Sequence, residues 1–210
     1  MLVHEDHPDL RRLLEEGKVV SYFGYGSLVN RLTLRTKFLA IRRARVRGWR
    51  RFWMPRSIPP VALLTVRPEA QFETEGVVVF DHADHLPAVD EREAGYKRRL
   101  VQPARVSVEH GPAAGVPLFI YEASRDEPTA EDVSCIILQS YLDAVMQGFF
   151  GLYGEKGLRR FVDETDGFEA EVLLDRLAPR YPRSVALHPG EAELFDRLLT
   201  ERGVSYIVPC

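Results

Sequence analysis

The chain has 210 residues, 45% of them hydrophobic, and a formal net charge of −3, which suffices for one sizeable core or a core with an appendage. The slight acidity argues against a general nucleic-acid binder, and no window of about 18 uncharged apolar residues is present to span a membrane. Cys135 and Cys210 have no metal-ligand spacing and read as free thiols in a reducing compartment. Residues Met1-Leu-Val-His-Glu-Asp lack the basic and apolar regions of a signal peptide, so the expected setting is the cytoplasm.

Pro8 to Glu16 has the spacing of a short amphipathic helix, with Leu10, Leu13 and Leu14 on one face and Gly17 to end it. Val19 to Phe23 are β-branched or aromatic apart from Ser21 and predict a strand. That strand runs into Gly24-Tyr25-Gly26-Ser27-Leu28. Two glycines one residue apart can take positive φ, so the turn's N–H groups can converge on an anion such as a carboxylate. From Ile41 to Trp53, Ala44, Val46 and Gly48 alternate with Arg43, Arg45 and Arg47, which predicts a half-buried strand with its arginines in solvent. The run Arg42–Arg51 is thus a solvated strand face before it is an anion-binding patch, and Trp49, Phe52 and Trp53 are packing residues.

Val61 to Val66 and Gly76 to Phe80 predict two strands with a turn at Arg67-Pro68-Glu69 between them. Asp84 can cap a short helix through about Glu93, closed by Gly95. Tyr96 to Val108 and Val116 to Tyr121 predict two further strands. Strands spaced this tightly leave no room for repeated βαβ units. The expectation is an α+β fold, a compact mixed β-barrel of about six strands with one short helix. Beyond a polar linker, Thr129 opens a capping-box-like pattern. A long helix carrying Ile137, Tyr141, Ala144, Val145, Gly148 and Phe149 on one stripe should follow, with shorter helices at 155–164 and 191–202. The expected domains are a core over 1–128 and a helical extension over 129–210 packed on it.

Helix phase singles out one residue of the short helix. Leu86, Val89 and Glu93 share a face, Asp90 lies near its edge, and Glu91 and Arg92 point elsewhere. A carboxylate on the apolar side needs a partner or a proton. Glu93 therefore either reaches sideways to an arginine or serves as a general base. Six scattered histidines, with no HExxH or Cys/His spacing, offer no metal-binding pattern. Gly26 directly before Ser27 also departs from the Gly-x-Ser-x-Gly of a nucleophilic hydrolase.

These residues together resemble the γ-glutamylcyclotransferase family, AIG2-like and ChaC-like. Gly24-Tyr-Gly-Ser-Leu28 is similar to the family's substrate turn, and Arg45 to Trp53 to the segment after it. Val89-Asp-Glu-Arg-Glu93-Ala-Gly-Tyr96 resembles its Leu-Asp-x-x-Glu…Tyr signature, and Phe119-Ile-Tyr121 its strand-end tyrosine. The features fall in the family's order over about residues 18–123, and the turn and Arg92-Glu93-Ala94 are most similar to the glutathione-degrading ChaC-like branch. The resemblance implies Glu93 as catalytic acid/base, with Tyr25, Gly26, Ser27, Leu28 and Tyr121 binding substrate. The implied reaction is intramolecular aminolysis of a γ-glutamyl amide or peptide, releasing 5-oxoproline, with neither metal, cofactor nor nucleic acid as partner. Leu28 stands where cyclotransferases for γ-glutamyl amino acids often have Asn, so the leaving group stays open. A γ-glutamylamine or γ-glutamyl-acyl substrate and a non-catalytic module for an anionic metabolite are the alternatives.

Overall fold

The computed structural model describes residues 5–34, 37–56, 60–111, 115–123 and 135–209. The chain divides into two units, one of Met1–Tyr25, Arg35–Arg50 and Val66–Ser124, the other of Gly26–Leu34, Arg51–Thr65 and Arg125–Cys210.

The first unit holds helix α1 (Leu10–Glu15) and strands β1 (Val19–Gly24), β2 (Ala40–Met54) and β3 (Leu63–His82). Helix α2 (Leu86–Arg92) and strands β4 (Tyr96–Leu100), β5 (Val106–Val108) and β6 (Leu118–Ala123) follow. The ends of β2 and β3 nearest residue 60 belong to the second unit. The strand order is β4-β6-β1-β3-β2-β5. Strand β1 pairs antiparallel with β3, from Val19 opposite His82 to Gly24 opposite Val77, and parallel with β6. All six of its residues are buried, because a central strand covered on both faces has no solvent side to alternate toward. Phe23, Val46, Val66, Val78, Phe80 and Ile120 pack together in the core of this unit.

The expected barrel is not closed. Strands β4 and β5 are the two edges, and no pairing joins them among the described residues. β5 has three residues and β4 is exposed along Lys97 to Leu100. Short or charged edges of this kind leave a sheet open. Two further expectations change. Pro68 does not break the chain into two strands, since 63–82 is one strand of 20 residues. Proline's φ fits extended backbone and the residue before it is pushed to the β region, so Arg67-Pro68 continues the strand on an exposed stretch. Pro103 does break the segment expected as one strand over 96–108.

In β2 the arginine alternation holds where it was expected. Arg43 pairs with Glu109 at 2.8 Å, Arg45 with Glu75 at 2.9 Å and Arg47 with Glu73 at 3.7 Å, so carboxylates face this surface. Arg42 and Arg51 are the exceptions, at 3% and 1% exposure. Arg42 is held by Asp6 and the carbonyls of His110 and Ile41. In the second unit, Arg51 lies over the rings of Phe149 and Phe161 at 4.8 and 5.1 Å.

The second unit contains 3-10 turns at Ser27–Val29 and Arg31–Thr33, strands β7 (Ile136–Leu138), β8 (Glu171–Leu173) and β9 (Tyr206–Ile207), and helices α3 (Gln139–Glu164) and α4 (Glu191–Glu201). The helices match those expected, with a non-helical Gly154 dividing α3 near residue 155. The expected cap at Thr129 lies outside the described residues. The three strands were not expected. They form a parallel sheet in the order β7-β8-β9, with α3 and α4 as the crossovers that parallel strands require. Runs of two or three residues carry no readable period, which is why the segment reads as helical alone.

Asp175 joins this sheet to the start of α3. It is 1% exposed and accepts from Ser140 N at 2.7 Å, Ser140 Oγ at 2.6 Å and Arg180 N at 2.9 Å. Asp175→Ala leaves these buried donors unsatisfied and should lower unfolding free energy by about 3 kcal/mol. Urea denaturation checks this.

Candidate active site

Helix α2 begins with Leu86-Pro87, where a proline costs no hydrogen bond, and ends at Arg92. Glu93 is the residue just beyond, with φ −93° and ψ 29°, and Gly95 follows at φ +91°. Val89 is buried as the helix phase predicts. Glu93 is 19% exposed and lies 3.2 Å from Nε of Arg92, itself only 17% exposed. Glu93 is thus turned inward at the helix end and sits beside an arginine, the sideways reach that was one of its two readings. Arg92, expected to point elsewhere, is turned inward too.

Asp90, one turn before Glu93, ties α2 to the sheet. Its Oδ1 accepts from Tyr121 Oη at 2.7 Å, and its Oδ2 from Arg98 Nη1 at 2.5 Å. Burial first, and then Asp90, push the Tyr121 hydroxyl well above the usual tyrosine range, so it stays a neutral donor. Beneath it Tyr22 donates to Asp81 at 3.1 Å, and Asp81 is fully buried and also bonded to His85 Nδ1 at 2.7 Å. Burial and Asp81 raise the Tyr22 hydroxyl likewise. Sequence reading gave no part to Asp81 or Arg98 and took Tyr22 only as a strand residue. The signal that was present is the Asp one helical turn before Glu93. Asp90→Ala is expected to cost about 1 kcal/mol, small because the carboxylate is partly exposed, and to loosen α2 as read by amide exchange.

The turn after β1 departs from expectation in its backbone. Gly26 has φ −121° and ψ −132°, and neither Gly24 nor Gly26 is among the positive-φ glycines. The demand at Gly26 is space: a methyl there would come within 2.8 Å of Tyr141 Oη and 3.3 Å of Leu64 Cδ2. The following residues form tight 3-10 turns, with Val29 N bonded to Gly26 O at 3.0 Å and Asn30 N to Ser27 O at 3.0 Å. Thr33 Oγ1 donates to the carbonyls of Ser27 at 2.7 Å and Asn30 at 3.0 Å. Ser27 is 8% exposed and Leu28 is half-buried.

Of the residues expected to bind substrate, Tyr25 and Tyr121 meet: Tyr25 Oη donates to the Tyr121 carbonyl at 2.5 Å. Both lie in the first unit with Glu93, whereas Gly26, Ser27 and Leu28 belong to the second and follow Tyr25 directly in the chain. No group of three or more His, Cys, Asp or Glu side chains suited to a metal occurs among the described residues. None of the described helices is long and apolar enough to cross a membrane.

The fold has solved counterparts. A structure described as "Gamma-glutamyl cyclotransferase" superposes with a TM-score of 0.53 at 16% identity, covering 87% of this chain and 99% of its own. The crystal structure of YkqA from Bacillus subtilis gives a TM-score of 0.51 at 17% identity, over 75% of this chain and 60% of its own. At such identities the likeness is one of fold. No curated protein sequence matches the chain. The sequence model described as "Gamma-glutamyl cyclotransferase, AIG2-like" matches residues 22–137. That is more than half of the chain, and it belongs to this family. The match takes in the turn, the Glu93 segment and Tyr121.

Proposed function

We propose that the protein is a γ-glutamyl cyclotransferase that converts a small γ-glutamyl amide or peptide into 5-oxoproline and a free amine or amino acid. The observation that carries the reading is the family match over residues 22–137, supported by the inward carboxylate of Glu93 beside Arg92. In this reading the substrate's α-carboxylate is bound by backbone N–H groups of Tyr25, Gly26, Ser27 and Leu28. Tyr121, whose hydroxyl hydrogen is committed to Asp90, keeps an accepting lone pair for the α-ammonium.

Glu93 then takes a proton from that ammonium. The freed amine attacks the substrate's own γ-carbonyl carbon, forming the ring C–N bond and an oxyanion for which turn N–H groups can be donors. Collapse breaks the original amide C–N bond as Glu93 returns this proton to the departing nitrogen, and the second proton that the ring nitrogen sheds on becoming an amide passes by the same carboxylate to the released amine, which leaves as its ammonium. Protons balance within the active site. Because nucleophile and electrophile belong to one molecule, holding the glutamyl chain folded supplies much of the acceleration; well-oriented intramolecular attack is worth about 7–11 kcal/mol.

The test is a panel of glutathione, γ-glutamyl amino acids and γ-glutamyl amines, with 5-oxoproline measured by chromatography. Release from at least one class is expected, and that class names the leaving group. A purified, folded protein that releases none from any of them is not a cyclotransferase for free γ-glutamyl compounds.

A further inference from the structure

Arg92 is a largely buried cation whose donors are not all used. Its side chain is 17% exposed, yet Nε and Nη2 are both buried and neither finds a hydrogen-bond acceptor. The 3.2 Å approach of Nε to Glu93 Oε1 is an ion contact that satisfies neither of these N–H groups. Two other carboxylates of this region are taken, Asp90 by Tyr121 and Arg98 and Asp81 by Tyr22 and His85. Burial and Asp81 raise the Tyr22 hydroxyl while Arg92 draws it back, so the guanidinium charge sits close to that tyrosine. Buried donors cost free energy until an acceptor reaches them. Neither Nε nor Nη2 has a hydrogen bond to give up, so the side chain can turn about its own torsions to meet an arriving anion.

We propose that Arg92 is a specificity-determining residue that binds a carboxylate on the leaving group, so that the substrate is a γ-glutamyl amino acid and not a γ-glutamyl amine. The inference rests on the reading of Glu93 as the acid that protonates the departing nitrogen. In a γ-glutamyl amino acid the second carboxylate is joined to that nitrogen through a single carbon, which sets its oxygens about 3 Å from the nitrogen. A carboxylate so close to the nitrogen that Glu93 touches is within reach of the guanidinium beside Glu93. The arginine fork matches it with two parallel N–H···O bonds. Charge points the same way. Glu93 becomes neutral when it takes up the ammonium proton, and Arg92 then loses its contact anion while still largely buried. A ligand carboxylate replaces that anion. The substrate's α-carboxylate already has the turn N–H groups in this reading, which leaves Arg92 for the second one.

γ-Glutamylglycine and γ-glutamylethylamide test this, because they differ only in a carboxylate where the second has a methyl group. The full-length protein is given both. Its preference is read as the ratio of kcat/KM for 5-oxoproline release, or as the ratio of calorimetric affinities where there is no turnover. Wild type is expected to favour γ-glutamylglycine about tenfold or more. Arg92→Gln should bring the ratio close to one by weakening γ-glutamylglycine alone, with the thermal midpoint near the wild-type value. Arg92→Lys keeps the charge without the fork and should lower the ratio severalfold; it carries the test where the Gln variant does not fold. A ratio near one for wild type, an unchanged ratio in a folded variant, or equal weakening of both compounds overturns the inference. An Arg92-dependent ratio of affinities without any 5-oxoproline sinks the cyclotransferase reading and leaves the inference standing, and equal release from both compounds does the reverse.

Discussion

Glu93→Gln should abolish 5-oxoproline formation while leaving ligand binding within a fewfold of wild type. The substitution keeps the shape and the hydrogen-bonding oxygen but removes the group that accepts and returns the proton in the proposed mechanism. General acid–base contributions of this kind are about 10²–10⁴-fold, and the loss should fall on kcat, because the proton moves only as the reaction proceeds. Steady-state kinetics on the best substrate of the panel, with L-glutamate affinity alongside, separates the two. Equal turnover by the Gln variant would remove Glu93 from the chemistry. Loss of binding together with turnover would mean that its charge is needed for recognition. Glu93→Asp is a useful companion. It retains the acid but withdraws it by one methylene, and positional sensitivity of intramolecular chemistry predicts a large fall there too.

The largest effect on stability is expected at Gly76 of β3. A methyl on this residue would stand 2.2 Å from the carbonyl oxygen of Gly24 and 2.8 Å from the ring of Phe23. The first is backbone of the central strand and the second is 1% exposed in the core, so neither can yield cheaply. Gly76→Ala is expected to lower unfolding free energy by about 3 kcal/mol or more, at or above the upper end for overpacking. Because Gly24 opens the turn proposed to bind substrate, the variant should lose activity even where it folds. Gly151→Ala in α3 is the matched control. Its added methyl meets nothing within 4 Å and should be neutral or stabilising, by up to about 1 kcal/mol, since alanine favours the helix. Equilibrium unfolding in urea ranks the two, and equal stability of Gly76→Ala and wild type would contradict the packing described for β1 and β3.

Several features were legible before any coordinates because they are local. The arginines at 43, 45 and 47 face carboxylates across a strand surface, as period-two alternation required. Glycines at 17 and 95, each at positive φ, end or follow helices where the sequence put them. Helix phase put Glu93 on the inward side, where it is 19% exposed, but it missed Arg92, which is 17% exposed. Other features depended on partners distant in sequence. Asp90 gave no sign of its hold on Tyr121, 31 residues later. Arg42 and Arg51 looked like neighbours of the exposed arginines, and only aromatic rings and acceptors supplied by other segments made their burial tolerable.

The sequence by itself determined the family and the order of the segments that carry its motifs, because these are written in short stretches with fixed local geometry. Tertiary structure alone decided that the sheet stays open, since closure depends on whether two edges find each other. It alone turned a helical-looking tail into a parallel βαβαβ unit, since strands of two or three residues are defined by their neighbours. Gly26 shows the division most plainly. Its sequence context marked it as a residue where a side chain is unwelcome, on the grounds of positive φ. The fold kept the requirement and changed its cause to the hydroxyl of Tyr141 pressed against it, a contact between residues 115 positions apart that no local pattern records.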